Sequence, residues 1–255
     1  MESCTRHVRA ALRQQFESDR LLGVKSVPIR LESLPRESVA RVQPAASAQI
    51  TEIDAANKAE RLRRLYEDHV RGCKRCSLCD ERTQTVFGQG SPTARLVFVG
   101  EAPGAEEDRT GQAFVGRAGQ LLTRMIAAMG LSREEVYICN VLKCRPPGNR
   151  NPAADEILAC SPYLREQLAI IHPEVLVALG APAAKTLLNT AQAIGKLRGR
   201  FQDYDLTDGA GQAVVVPVLP TYHPAYLLRN PAEKRKAWDD LQMVMDRMGL
   251  MKPLS

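Results

Sequence analysis

Four short apolar runs mark the chain. They lie at 95–99, 136–142, 174–179 and 213–219, and most stop at a glycine or proline. Helical spacing follows or precedes them at about 57–70, 116–129, 153–171, 181–188 and 232–248. Buried strands alternating with amphipathic helices predict a mostly parallel sheet with helices on both faces, an α/β fold. Gly130 is placed to cap the helix before it, and Ser132 with Glu135 has the spacing of a capping box. Pro162 falls inside the 153–171 pattern and predicts a kink or two helices. KLRGRFQDYD, ahead of the last apolar run, reads as a β-arm. Residues 1–55 carry a short helical pattern near 8–18. They then lose periodicity around Pro28, Pro35 and Pro44, as an extension or linker ahead of a folded domain at 56–255.

The densest signal is RLVFVGEAPGAEEDRTGQAFVGRAGQLL, from Arg95 to Leu122. It joins an apolar strand, a polar loop with Pro103, Gly104 and three acids, and an amphipathic helix. Such a turn at the carboxyl end of a strand is where α/β proteins build sites, although an ordinary surface loop has the same ingredients.

An apolar content of 44% and a charged content of 25% fit a globular protein, and no apolar run approaches the roughly 18 residues of a membrane span. The charged N-terminus lacks the apolar core of a secretory signal, which points to the cytoplasm. Net charge is +6, a weak pointer toward a polyanion. The absence of G-x-x-x-x-G-K-[ST] argues against a nucleotide-phosphate loop.

Seven cysteines, an odd number, argue for metal or redox chemistry over a disulfide framework. Cys73 and Cys76 form a C-x-x-C pair, while Cys144 and Cys160 lie far along the chain. Spacing leaves zinc, an iron–sulfur cluster and free thiols open, and Cys79 offers a third local ligand. Cys139 reads as a buried small apolar residue, and Cys4 as a free, exposed one.

GEAPGAEEDRTGQAFVGRAGQLL, NVLKCRPPGNRNP, ACSPYL and YHPAYLLRNP, in that order, resemble the family 4, iron–sulfur uracil-DNA glycosylases over about residues 73–238. The resemblance implies a three-layer αβα fold around a four-stranded parallel sheet. It implies a [4Fe–4S] cluster on Cys73, Cys76, Cys144 and Cys160, with Cys79 a bystander. It also implies hydrolysis of the glycosidic bond of a deoxyuridine flipped out of single- or double-stranded DNA, as base excision repair requires. A bacterial-type monomer acting on nucleoid DNA is the corresponding expectation.

On this reading Phe114 stacks on the uracil. Asn140 accepts from N3–H and donates to O4, and backbone around Glu101, Ala102 and Pro103 meets O2. His223 stabilises the charge that builds on the leaving base. Related families carry an Asp where this chain has Ala102, so Glu101 takes the acidic role, with Glu107 a second candidate. Gly104 leaves the exclusion of thymine open. An apolar tip at Tyr226, Leu227 and Leu228, ending in Arg229, suits insertion into the minor groove. Lys143, Arg145, Arg150, Arg229, Lys234 and Arg235 are candidate phosphate contacts.

The competing readings are a non-catalytic iron–sulfur or zinc DNA-binding protein, and a sister glycosylase of relaxed specificity. A sister group that becomes covalently trapped on DNA carries an inserted basic loop with a reactive His, and no such insertion precedes His223.

Overall fold

The computed structural model describes residues 44–207 and 211–251. The short helix expected near 8–18 and most of the 1–55 extension lie outside the described residues. Six strands form one sheet: β1 (Gln89–Gly90), β2 (Leu96–Gly100), β3 (Tyr137–Asn140), β4 (Val175–Leu179), β5 (Gln202–Thr207) and β6 (Ala213–Thr221). Eight α-helices among the described residues accompany them. They are α1 (Pro44–Arg64), α2 (Ala105–Thr110), α3 (Arg117–Ala128), α4 (Ala154–Ile171), α5 (Ala181–Leu188), α6 (Ile194–Leu197), α7 (Pro224–Arg229) and α8 (Lys234–Met248).

The spatial order is β1-β3-β2-β4-β6-β5. β3, β2, β4 and β6 are mutually parallel, which gives the expected four-stranded parallel sheet, and β1 and β5 add an antiparallel strand at each edge. β2, β3 and β4 are buried at every position, as strands covered on both faces must be. Their alternate residues serve different layers. Val97, Val99, Leu176 and Ala178 pack in one cluster with residues of α1, α4 and α5. Leu96, Phe98, Val175 and Val177 pack in another with α3 and α8. Each buried Val, Leu or Phe among them contributes about 1.5–3 kcal/mol. Cys139 is fully buried in the first cluster, a small apolar residue as its sequence context suggests.

Three local readings change. α1 begins at Pro44, ahead of the start at 57 that its spacing suggests, so the end of the expected extension is helical. α4 is one helix through Pro162. Pro162 deprives the Leu158 carbonyl of its donor, and Leu158 lies on the exposed face of the helix. Glu135 does accept from the Ser132 N–H at 2.8 Å, yet no helix follows and the chain enters β3 directly.

The register aligns the strand ends that matter. Gly100 pairs with Asn140 across β2 and β3, and Leu179 with Thr221 across β4 and β6. The loops that follow leave from one rim, the carboxyl end of the parallel sheet.

Candidate active site and cysteine cavity

A cavity of about 430 Å³ opens at this rim, bounded by the loop after β2, the end of β3, the 146–151 loop and the start of α7. Glu101, Ala102, Pro103, Gly104, Glu107, Phe114, Asn140, Arg150, His223, Tyr226 and Arg229 all line it, so eleven of the residues singled out in the sequence meet in one place. Asn149 and Asn151 line it as well and carried no sequence signal.

Asn140 ends β3, is 2% exposed, and its Oδ1 has no hydrogen-bond partner. A buried acceptor left empty costs about 1–3 kcal/mol, so the site is prepared for a donor that the protein does not supply. Gly100 makes the room: a Cβ there would stand 2.3 Å from Asn140 Oδ1 and 2.5 Å from the Phe114 ring.

Phe114 holds a left-handed backbone (φ 53°), a conformation that costs a non-glycine residue energy. Arg133 fastens it, donating Nη1 to Phe114 O at 3.1 Å and Nη2 to Ala113 O at 2.8 Å. Gly119 lets α3 approach, since a Cβ there would meet Phe114 O at 1.9 Å. No sequence pattern announces these supports, because each acts on backbone that is distant from it along the chain or follows an unpredictable turn.

The His223 ring lies 5.7 Å from that of Phe114. Its Nδ1 accepts the Ala225 N–H at 3.1 Å, which leaves the proton of the neutral ring on Nε2. Burial, and then the nearby Arg229 cation, lower its pKa from 6.5 to about 4, so the ring is neutral at physiological pH. Gly180, with φ +89°, lets the loop after β4 come close, since a Cβ there would lie 2.9 Å from His223 Cβ.

The Glu101 side chain is half-buried and burial raises its pKa. Glu107 differs: Oε1 accepts from Val115 N and Gly116 N at 2.9 and 2.8 Å, and Oε2 from Gly104 N at 3.1 Å. Its carboxylate clamps two parts of the loop together, a structural task that takes up the acceptors a catalytic acid would need free. It also fills the space above Gly104, where an added Cβ would come within 2.8 Å of Glu107 Oε2.

Cys73, Cys76, Cys144 and Cys160 line a second, narrow cavity, together with Lys143 just past the end of β3. Three of the sulfurs receive hydrogen bonds: Cys73 from Tyr163 Oη at 3.2 Å, Cys144 from Arg82 Nη1 at 3.1 Å, and Cys160 from Lys143 N at 3.2 Å. Burial pushes the Cys144 thiol up to about 11, against the pull of Arg82. Cys79 does not line the cavity, and its thiol faces Asp80. Among the described residues no three His, Cys, Asp or Glu side chains close on a single-ion geometry. Four sulfurs around one cavity, three of them with a donor directed at them, are a ligand set that fits an iron–sulfur cluster.

The sequence model of the Uracil DNA glycosylase superfamily matches residues 87–242. The chain belongs to this superfamily. A type-4 uracil-DNA glycosylase of Saccharolobus solfataricus is 42% identical over 75% of this chain and 88% of its own length. One of Thermotoga maritima is 47% identical over 67% of this chain and 85% of its own. A type-5 uracil-DNA glycosylase of Pyrobaculum aerophilum shares 35% identity over 55% of the chain. Both the identity and the coverage place this glycosylase-superfamily member with type 4.

The surface around the pocket departs in part from the sequence reading. In this superfamily member, 224–229 is the short helix α7 and not an apolar loop tip. Leu227 is 1% exposed and packs against Leu121 and Ala237, so it cannot serve as an inserting wedge in this conformation. Leu228 is half-buried beside it, and Arg229 is exposed at the cavity mouth. Helical spacing turned Leu227 inward. Lys143 is fully buried and is no phosphate contact. Arg145 holds Asn149 Oδ1 at 2.8 Å, and Arg150 is paired with the buried Glu156. Lys234 and Arg235 remain exposed cations. Among the described residues no helix is long and apolar enough to cross a membrane.

Proposed function

We propose that this chain excises uracil from DNA by hydrolysing its N-glycosidic bond, leaving an abasic site for base excision repair. The observation that carries the reading is the unpartnered Oδ1 of Asn140, which faces a pocket shared with Phe114 and a neutral His223. A flipped uracil supplies the missing partner. Its N3–H donates to Oδ1 while its O4 accepts from the amide nitrogen. Cytosine presents a bare N3 and an amino group, so the same carboxamide repels it.

Phe114 provides a face for the base. The Nε2–H of His223 stabilises charge gathering on O2 as the glycosidic bond breaks, and a neutral donor does so without itself having to be charged in a buried site. Glu101 positions the water that attacks the sugar and offsets positive charge on the sugar carbon. Arg229 and Arg145 stand where the phosphates of single- or double-stranded DNA would pass, and contribute affinity without sequence preference.

Cys73, Cys76, Cys144 and Cys160 would hold a [4Fe–4S] cluster. When bound, it supplies a cross-link among three chain segments, one of which carries Asn140. The protein acts as a cytoplasmic monomer on this reading.

Incubation with uracil-containing single- and double-stranded oligonucleotides, followed by alkali, should cleave the strand at the uracil. His223→Ala should lower kcat by about 10²–10³-fold, in line with loss of one oxyanion donor. Asn140→Asp should weaken uracil release and improve cytosine release relative to wild type. Absence of strand cleavage by the wild-type holoprotein would refute the assignment.

A further inference from the structure

We propose that Lys143 is a positioning residue that ties the cysteine cavity to Asn140. The inference rests on the uracil-pocket reading above and assigns the buried lysine a part in it. Lys143 is 1% exposed. Its Nζ donates to the backbone carbonyl of Asn140 at 2.8 Å and to Gln167 Oε1, while its own peptide N–H donates to Cys160 Sγ at 3.2 Å. Gln167, also fully buried, passes its amide hydrogens to Phe87 O at 2.9 Å and Tyr137 Oη at 3.1 Å. Tyr137 opens β3 and Asn140 closes it, so one buried polar network grips the strand at both ends.

The cost of this arrangement shows what it is for. Burying a lysine amine is costly unless it is hydrogen-bonded, and both Nζ bonds here run to neutral acceptors, Asn140 O and Gln167 Oε1. A methionine would fill the same space without that penalty. What methionine cannot do is hold the carbonyl of residue 140. That hydrogen bond fixes the peptide plane following the Asn140 Cα, and with it the direction of the carboxamide. The carboxamide needs outside aim, because its Oδ1 has no partner until a base arrives. The segment that delivers the lysine also carries Cys144, so the sulfur site sets where Nζ stands.

The test uses holoprotein carrying Lys143→Met or Gln167→Met, each made with Asn140 intact and with Asn140→Ala. Three quantities are read: visible absorbance per chain, the Kd for free uracil, and kcat/KM on single-stranded uracil DNA. Lys143→Met should keep the absorbance yet weaken uracil binding and kcat/KM together by about 10–100-fold, as expected for leaving the buried Asn140 carbonyl without its donor. In the Asn140→Ala background it should add little, because the group it aims is gone. Gln167→Met should show the same pattern with a smaller loss. Wild-type behaviour of either variant, or an equal loss in both backgrounds, overturns the proposal. If Lys143→Met loses its absorbance, Gln167→Met decides. A wild-type protein that releases no uracil removes the parent reading and this inference with it.

Discussion

Asn140 keeps an unpartnered carboxamide oxygen because residue 100 has no side chain to fill the space beside it. Gly100→Ala should therefore fold and lose activity, by about 100-fold or more, through displacement of Asn140 and Phe114 together; circular dichroism alongside the strand-cleavage assay separates the two effects. His223 predicts a pH dependence of defined sign. An unfolded chain takes up the imidazole proton through pH 6.5, whereas the folded ring resists until about pH 4. Stability should fall as pH drops across that interval and level off below it, and His223→Asn should flatten the trend in urea midpoints measured from pH 7.5 to 4.5. Glu101 is shifted the other way by burial, so the acid limb of kcat/KM should lie above the ordinary carboxylate value of 4.5 and disappear in Glu101→Gln. Residue identities at the pocket were legible from motif order. Lys143 was not, because a basic residue in a Pro- and Arg-rich segment reads as exposed, and only tertiary packing turns it inward.

At the scale of elements, the central strands were readable for a plain reason. Strands covered on both faces must be apolar throughout, and 96–99 and 175–179 are. The edges were readable only in part. β1 is two residues long and carries no pattern, whereas the β-arm expected at KLRGRFQDYD is found as β5, shifted toward Thr207 with Asp203 and Asp205 facing outward. The stretch after His223 admits two readings at six residues, and packing of Leu227 against α3 and α8 selects the helix. The loop bearing Phe114 depends on α3 as much as on its own sequence. Gly119→Ala would drive a methyl into Phe114 O, costing about 1–3 kcal/mol. It should raise the Kd for free uracil by more than the accompanying drop in melting temperature accounts for. Titration calorimetry beside thermal unfolding checks this.

For the whole molecule, the two cavities meet along one chain segment: Asn140, which ends β3, lines the first, and Lys143 and Cys144, three and four residues on, line the second. If the four cysteines hold the proposed cluster, Cys79→Ala should leave iron content and visible absorbance unchanged, while Cys160→Ala should lose both and with them most of the cleavage activity; iron analysis of the purified variants distinguishes these outcomes. Spacing alone could not choose the four sulfurs, since Cys79 fits a local triplet as well as Cys76 does. Only the fold shows which thiols share a wall. Cys73 and Cys76 leave the ribosome well before Cys160. On the proposed cluster reading, the metal centre would be completed only once translation has passed residue 160, so the pocket would mature late and a cell short of iron would accumulate chains that lack this fastening.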